Sequence, residues 1–271
     1  MNRNYIITGS SEGLGAALAK KLLLEGNQVF GISRRGNREL DQFGNFVDFK
    51  VDVTNLDDIS SLFKKIVCDY PRLHGVVHAA AVNGPIGQIE DILPEDWAHA
   101  IQINLFGTYN LILNCAKYFR EVKFGNFVAL SGGGATSPMP RMTAYASSKT
   151  ATVRLVESVA RDFDDLPEVT FNSVAPGIMK TKMINEIIQA GPEMVGHDYH
   201  SRILNFQTNG TDSIEKAVDL ISFLIASDGH GVTGKLLSAV WDDWSNNFKN
   251  SEYLRDREIH TLRRNLSISK D

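Results

Sequence analysis

Cysteine is scarce in this 271-residue chain, which has only Cys68 and Cys115. The two lie far apart inside apolar helical patterns, and neither has partners at the spacing of a metal site. Isolated cysteines of this kind are typical of small buried hydrophobic residues in a reducing compartment. The sequence therefore predicts no metal centre.

Long apolar runs and an excess of positive charge are also missing. No stretch approaches the roughly 20 residues of a membrane-spanning helix, and the apolar run that follows residues 1–4 is too short for the core of a signal peptide. The net charge of -4 provides no basic field that would attract nucleic acid. We therefore expect a cytoplasmic protein without a membrane or nucleic-acid partner.

What is present is a regular alternation of strand-like and helix-like segments. Hydrophobic residues make up 43% of the chain and charged residues 22%, the balance of an ordinary globular protein. Strands are predicted at 5–8, 28–33, 46–52, 75–80, 125–131, 169–174 and 235–240. Helices are predicted near 14–25, 56–69, 95–120, 144–163 and 213–226. Because Val/Ile-rich strands joined by helices need both sheet faces covered, this order predicts an α/β fold with a single, Rossmann-like, doubly wound parallel sheet of about seven strands.

The expected domain covers residues 1–240, because no linker or repeat interrupts the pattern. Residues 178–212, called the cover below, contain a helical stretch at 182–190, then Gly191-Pro192 and a polar, aromatic run; we expect them to form a mobile cover over a site. The extension 241–271 has Ile259, Leu262 and Leu266 at helical spacing. It is expected to be a terminal helix that packs on the domain or on another subunit.

The first predicted strand runs directly into the segment TGSSEGLG, residues 8–15, which precedes a helix rich in Ala and Leu. Glycines there allow a tight turn and a close approach of the backbone to a pyrophosphate, while a helix N-terminus offers free amides. A plain turn between strand and helix is the alternative. The position of the segment at the first strand of an α/β chain favours a dinucleotide site.

Ser33-Arg34-Arg35 ends the second predicted strand, where an acidic residue would hold the ribose of NAD(H). Two guanidinium groups suit a 2'-phosphate instead, which favours NADP(H) over NAD(H). Solvated arginines on an exposed loop are the alternative, and Glu12 in the glycine segment would oppose an extra phosphate.

Tyr145 and Lys149 are spaced i, i+4 on a predicted helix, so both side chains lie on one face. An ammonium near a phenol favours the phenolate, so we expect a lowered Tyr145 pKa. A tyrosine tuned in this way serves as general acid or base on a carbonyl or alcohol. Taken alone, the same spacing is common on helices and mostly structural.

Taken together, these motifs resemble the short, single-domain branch of the short-chain dehydrogenase/reductase superfamily from residue 5 to about residue 240. The matching positions, in chain order, are Thr8-Gly9-x-x-x-Gly13-x-Gly15, Asp52-Val53, Asn104, Tyr145-x-x-x-Lys149, Pro176-Gly177 and Thr181.

The resemblance implies a role for each of these positions. Tyr145 is implied as the catalytic acid/base, Lys149 as the group that holds the nicotinamide ribose, and Asn104 as the anchor of a water-mediated proton path to Lys149. Asn104 has an alternative role, the satisfaction of buried backbone groups near a helix bend, and Thr181 has one as a helix cap. The expected cofactor-binding residues are Gly9, Ser11, Gly13, Leu14, Gly15, Ser33, Arg34, Arg35, Asp52, Val53, Ala80, Tyr145, Lys149, Pro176, Gly177 and Thr181.

The chain departs from the family where a serine should polarise the substrate carbonyl, thirteen positions before the tyrosine. That position is Gly132. Ser131, which we include in the predicted catalytic set, or Thr136 would supply a hydroxyl if the glycine run bends differently; a water or a hydroxyl of the substrate is the alternative. The family's Asn-Asn-Ala-Gly segment also differs and reads HAAA at 78–81, where His78 is interpreted as a satisfied residue at a strand end.

The leading hypothesis is an NADP(H)-dependent carbonyl reductase or alcohol dehydrogenase acting on a small molecule. A cofactor-binding regulatory or scaffold protein without turnover is the second hypothesis, and epimerisation or dehydration is the third. The segments 131–136 and 238–244 look like those of bacterial reductases of surface-carbohydrate pathways, which suggests a sugar-derived substrate. The family commonly pairs through its two long helices, so a homodimer or homotetramer is expected. Cover residues that could line the substrate pocket are Met179, Met183, Ile187, Met194, Tyr199 and His200.

Overall fold

The computed structural model describes residues 2–70, 72–209, 214–226, 231–247 and 256–263. Its strands pair in parallel in one sheet, in the order β3-β2-β1-β4-β5-β6-β7. The strands are β1 Asn4–Thr8, β2 Gln28–Ser33, β3 Phe46–Lys50, β4 Gly75–His78, β5 Gly125–Leu130, β6 Val169–Ala175 and β7 Leu236–Ser238. The predicted doubly wound parallel sheet is confirmed, with strand ends within a few residues of the prediction.

Helices cover both faces of this sheet. They are α1 Gly13–Leu24, α2 Leu56–Asp69, α3 Pro94–Ile101, α4 Gly107–Val122, α5 Thr143–Asp162, α6 Lys182–Val195, α7 His197–Asn209, α8 Ile214–Ala226 and α9 Trp244–Asn247. Successive strand residues face opposite sides: Ile7 packs into the apolar core under α1 and α8, and Ile6 packs into the core under α2, α4 and α5. Both faces are therefore buried, which explains the continuous apolar strands in the sequence.

The helix predicted at 95–120 is present as one unbroken helical run from Pro94 to Val122 that contains a π turn. Residues Gln102–Phe106 form a π-helical turn between α3 and α4, and Asn104 lies within it. A single π turn leaves the helical run unbroken, and no residue type marks it in the sequence.

The cover is more helical than its composition predicts. Its polar, aromatic part forms α7, and α6 continues past the predicted end at residue 190 to Val195. Gly191, at φ 78°, kinks α6 immediately before Pro192. Residues 210–212 of the cover lie outside the described residues.

Residues 256–263 of the C-terminal extension pack on the domain, but they consist of turns and bends, so the helix predicted from Ile259 and Leu262 is wrong there. The N–H of Leu236 donates to the carbonyl of His260 at 2.7 Å, and Arg263 pairs with Glu157 at 2.6 Å. These contacts hold the segment beside the edge strand β7. Leu266 lies outside the described residues.

None of the helices in the described part of the chain is long and apolar enough to cross a membrane.

Candidate active site

A cavity of about 1570 Å³ opens at the carboxyl ends of the strands. A parallel doubly wound sheet binds its ligands at this edge, and the volume exceeds the 300–1,000 Å³ of ordinary small-molecule pockets. Its wall contains every predicted cofactor-binding residue: Gly9, Ser11, Gly13, Leu14, Gly15, Ser33, Arg34, Arg35, Asp52, Val53, Ala80, Tyr145, Lys149, Pro176, Gly177 and Thr181. Ser131 also lines it, whereas Asn104 is not part of the wall.

The glycine segment forms the turn between β1 and α1. Gly9 has a φ of 68°, and a Cβ there would lie 2.7 Å from the Ala80 nitrogen. A Cβ on Gly15 would lie 2.4 Å from the Gly9 carbonyl oxygen. Only glycine fits these positions. Glu12 at the N-cap makes no capping hydrogen bond, so the side chain leaves the first amides of α1 open to the cavity.

The end of β2 presents both arginines at the surface of the cavity. Arg34 and Arg35 are exposed, and the Arg35 guanidinium pairs with the Glu12 carboxylate at 2.5 Å. The Ser33 hydroxyl accepts a hydrogen bond from the Gly36 N–H at 2.9 Å and so fixes the loop. The Glu12 carboxylate therefore already neutralises Arg35, one of the two cations expected to bind a 2'-phosphate.

Asp52 follows β3 and holds the turn below it. Its carboxylate accepts hydrogen bonds from the Thr54 N–H at 2.9 Å and the Thr54 hydroxyl at 2.8 Å. Val53, next in the chain, is buried and in contact range of the helix α4 at Gly107. Asp52 and Val53 thus form a fixed part of the wall.

Tyr145 and Lys149 lie one turn apart on α5, with the Lys149 Nζ 5.7 Å from the centre of the Tyr145 ring. The Lys149 ammonium donates a 2.8 Å hydrogen bond to the Leu130 carbonyl. Burial lowers the pKa of Lys149 to about 8. Burial, together with a smaller effect of the nearby Tyr199 phenol, raises the pKa of Tyr145 to about 12.

The expected lowering of the Tyr145 pKa is therefore wrong for this structure. An ammonium favours the phenolate only where its field outweighs the loss of hydration. Here the dominant influence on Tyr145 is desolvation. The spacing of two residues on a helix does not reveal how deeply the fold buries them.

Asn104 bridges two segments beneath the cavity. Its amide oxygen accepts from the Val82 N–H at 2.9 Å, and its amide nitrogen donates to the Val82 carbonyl and the Ser148 hydroxyl, both at 3.0 Å. The backbone carbonyl of Asn104 accepts a hydrogen bond from the Thr108 hydroxyl at 2.7 Å. The side chain thus satisfies buried backbone groups beside the π turn, the alternative role considered from the sequence.

Gly132 has its backbone extended at φ -177°, with its missing side chain directed at Tyr145. A Cβ at this position would lie 2.6 Å from the Tyr145 hydroxyl oxygen. Ser131, the preceding residue, has a hydroxyl that is buried and without a hydrogen-bond partner among the described residues. Because side chains alternate along extended backbone, the Ser131 hydroxyl points away from Tyr145. Thr136 is exposed on the cavity wall.

His78 ends β4 and is fully buried below the site. Its Nδ1 hydrogen-bonds the Thr8 hydroxyl at 2.9 Å. Burial and the neighbouring Lys149 lower the pKa of His78 to about 3, so the ring is neutral. The geometry agrees with a structural histidine at a strand end.

Several wall residues have no signal in the sequence. Arg202 and Phe206 come from α7, and Asp242 and His260 come from the extension, where they pair at 3.3 Å. Contacts between segments that are distant in the sequence bring them to the cavity, and no local sequence motif predicts such contacts. Of the cover residues proposed for the pocket, Met179, Met183, Ile187 and Tyr199 line it, whereas Met194 and His200 do not.

Curated relatives match most of the chain. An uncharacterised oxidoreductase of Schizosaccharomyces pombe is 29% identical over 86% of this chain and 94% of its own length. The 3-oxoacyl-[acyl-carrier-protein] reductase of Thermotoga maritima is 26% identical over the same shares, 86% and 94%.

Solved structures and a family profile agree with these relatives. The structure of ElxO with NADP bound is 27% identical, has a TM-score of 0.76 and covers 88% of this chain and 97% of its own; a Tyr-to-Phe variant of ElxO, with NADPH bound, matches equally well. The profile of the short chain dehydrogenase family matches residues 3–191. The chain therefore belongs to the short-chain dehydrogenase/reductase family of oxidoreductases.

Proposed function

We propose that this protein is an NADP(H)-preferring oxidoreductase that interconverts a small-molecule carbonyl compound and its alcohol. The observation that carries the proposal is that one cavity contains the glycine turn, the two arginines after β2 and the Tyr145–Lys149 pair. Binding of NADP in the structure of ElxO supports the choice of cofactor.

The residues present fit a dinucleotide. The open amides of α1 and the glycine turn would hold the pyrophosphate, Asp52 and Val53 would lie beside the adenine, and Arg34 with Arg35 would bind the 2'-phosphate. Lys149 would hold the nicotinamide ribose, and Thr181 the carboxamide. When bound, the nicotinamide supplies or accepts the hydride.

Tyr145 is proposed to move the proton. With its pKa near 12, the phenol is protonated at neutral pH, so it is ready to donate to a carbonyl oxygen that gains negative charge. Its hydroxyl has no hydrogen-bond partner among the described residues and faces the cavity wall at Gly132. The arrangement favours reduction of a carbonyl at neutral pH.

Transfer of label from cofactor to product tests this function. The protein is incubated with NADPH deuterated at C4 and a panel of aldehydes, ketones and sugar-derived keto compounds, and products are analysed by mass spectrometry. We expect an alcohol that carries one deuterium. If NADPH binds and no member of the panel takes up deuterium, the result contradicts the proposed reaction and favours a protein that binds the cofactor without turnover.

The alternative is a cofactor-binding regulatory or scaffold protein. Gly132 favours it, because the residue that polarises the carbonyl in the family has no side chain here. Such a protein would bind NADPH without any reaction that depends on Tyr145.

Glu12→Gln is expected to tighten NADPH binding by about 5- to 20-fold and to leave NADH binding within twofold. The substitution frees Arg35 from its 2.5 Å ion pair and removes a negative charge near the expected 2'-phosphate. Fluorescence titrations with both cofactors at low salt measure the ratio, which added salt should reduce. Glu25→Gln, at the far end of α1, makes the same charge change away from the cavity and should alter neither affinity. Equal tightening for both cofactors would refute a 2'-phosphate site at Arg35.

Gly132→Ala is expected to lower kcat at least tenfold while it changes the free energy of unfolding by less than about 1 kcal/mol. The new methyl meets the Tyr145 hydroxyl, which is the far end of a side chain, so the ring is displaced and the backbone is not strained. Gly133→Ala adds a methyl that meets no atom within 4 Å and should keep most of the activity. Steady-state rates and thermal unfolding check both variants. Full activity in Gly132→Ala would contradict the placement of Tyr145.

We also propose a homodimer or homotetramer that pairs through α4 and α5. Large hydrophobic side chains are exposed along the first of these, including Tyr109 and Val122 at 44% and 40%. Light scattering on the purified protein gives the mass in solution and tests the proposal.

A further inference from the structure

The end of β5 offers no hydroxyl to a substrate beside Tyr145. A side chain at position 132 would begin 2.6 Å from the Tyr145 hydroxyl oxygen, so this space is already filled. The Ser131 hydroxyl is buried, and the alternation of side chains along extended backbone places it on the face opposite the Cβ position of Gly132. A second hydrogen-bond donor for the substrate oxygen must therefore come from another element of the cavity wall.

Tyr199 on α7 also lines the cavity wall. Its ring packs with Tyr145 around the apolar cluster that includes Met142 and Ile203. Among the described residues, its hydroxyl has no hydrogen-bond partner, although the residue lines the cavity. A phenol with an apolar body and a free polar tip in a cavity is suited to a ligand oxygen.

The position of Tyr199 is fixed by the packing of α7. Ile203, one turn further along this helix, is fully buried. The ring of His200 hydrogen-bonds the Ile188 carbonyl of α6 at 3.1 Å. The two helices of the cover thus hold the Tyr199 ring against the Tyr145 cluster.

Electrostatics agree with this placement. The Tyr199 phenol is near enough to raise the pKa of Tyr145, after the larger effect of burial. Burial raises the pKa of Tyr199 itself, and the Arg202 guanidinium on the same helix opposes this rise.

We infer that Tyr199 supplies the hydroxyl that Gly132 lacks and donates a hydrogen bond to the substrate oxygen that is protonated by Tyr145. This inference rests on the proposed function. It makes the cover a catalytic element as well as a lid, since the site is complete only with α7 in place. Thr136, also exposed on the wall, is the competing donor.

The test compares three variants on a carbonyl substrate that the wild-type protein reduces. Tyr199→Phe keeps the ring and removes only the hydroxyl, so the packing of the cluster is retained. We expect a loss of kcat of roughly 100- to 1,000-fold, the usual cost of one such donor, with NADPH affinity within twofold. Thr136→Val should lose less than threefold. Tyr70→Phe, a matched removal of a phenol hydroxyl at the end of α2 away from the cavity, should be unaffected.

The rates and stabilities of these variants distinguish a hydrogen-bond donor at Tyr199 from a structural role of Tyr199 and from a donor at Thr136. A Tyr199→Phe effect confined to KM, or accompanied by a lower unfolding temperature, would show that Tyr199 only holds the cover and would overturn the inference. A large loss in Thr136→Val with an active Tyr199→Phe would assign the donor to Thr136 and overturn it as well. Absence of any turnover in the wild-type protein would instead refute the proposed function on which the inference rests.

Discussion

Tyr145→Phe should reduce kcat for carbonyl reduction by about 10³- to 10⁴-fold while it leaves NADPH affinity within twofold. The variant lacks the only group proposed to deliver the proton, and general acid catalysis contributes up to about 10⁴-fold. The Tyr145 hydroxyl has no hydrogen-bond partner in the described part of the chain, so its removal leaves no buried donor or acceptor unpaired. We expect the unfolding temperature to stay within about 2 °C.

Steady-state rates, cofactor titration and thermal unfolding of the same preparation test this expectation. Tyr70→Phe is again the matched control, because it removes a phenol hydroxyl outside the cavity. Survival of more than a tenth of the wild-type kcat in Tyr145→Phe would assign the proton transfer to another group. A parallel loss of NADPH binding would show that the ring has a structural role in the cofactor site.

Lys149→Met is expected to abolish most turnover, by about 10²- to 10³-fold, and at the same time to make the protein more stable at pH 7. The ammonium is buried, and burial lowers its pKa from the usual 10.5 to about 8. A folded-state pKa below the unfolded value means that the protonated lysine destabilises the fold. Methionine fills a similar volume without the charge, at the cost of the hydrogen bond to the Leu130 carbonyl. We expect a net gain of about 1 kcal/mol, or 2–4 °C in unfolding temperature.

The pH dependence of this gain has a defined sign. The penalty of the buried ammonium is full below the folded pKa of about 8 and vanishes as the pH rises through the unfolded pKa of 10.5. The stability difference between Lys149→Met and the wild type should therefore be constant below pH 8 and shrink between pH 8 and 10.5. Thermal unfolding over this range measures it. A variant that is less stable at pH 7, or a difference that grows with pH, would contradict the assignment of a buried, destabilising ammonium.

The sheet and the glycine turn are predictable from the sequence because their signals are local. Apolar runs of strand length, helical periods and the glycines at positions 9, 13 and 15 each dictate structure within a few residues. The position of the two arginines after β2 is also predictable, because the carboxyl ends of parallel strands all lie at the same edge of the sheet. Every predicted cofactor-binding residue consequently lies on one cavity wall.

The features that the sequence does not reveal depend on contacts between distant segments. No residue type in the sequence marks the π turn around Asn104. The hydrogen bond from the Val82 N–H to the Asn104 side chain is likewise visible only in the fold. Helix α7 has a mostly polar sequence, and its single fully buried anchor, Ile203, packs against residues of α6 and of the loop before α5. The raised pKa of Tyr145 follows from burial, which a spacing of four residues cannot encode.

Parallel binding titrations of the wild-type protein with NADPH and NADH test the central claim most directly, because they need no knowledge of the substrate. The unfolding temperature is followed as each cofactor is added, since a ligand that binds only the folded state stabilises it in proportion to its affinity. We expect stabilisation by both cofactors, with NADPH effective at clearly lower concentration. Stabilisation by neither would contradict a nicotinamide site in this cavity, and a preference for NADH would contradict the assignment of Arg34 and Arg35 to a 2'-phosphate.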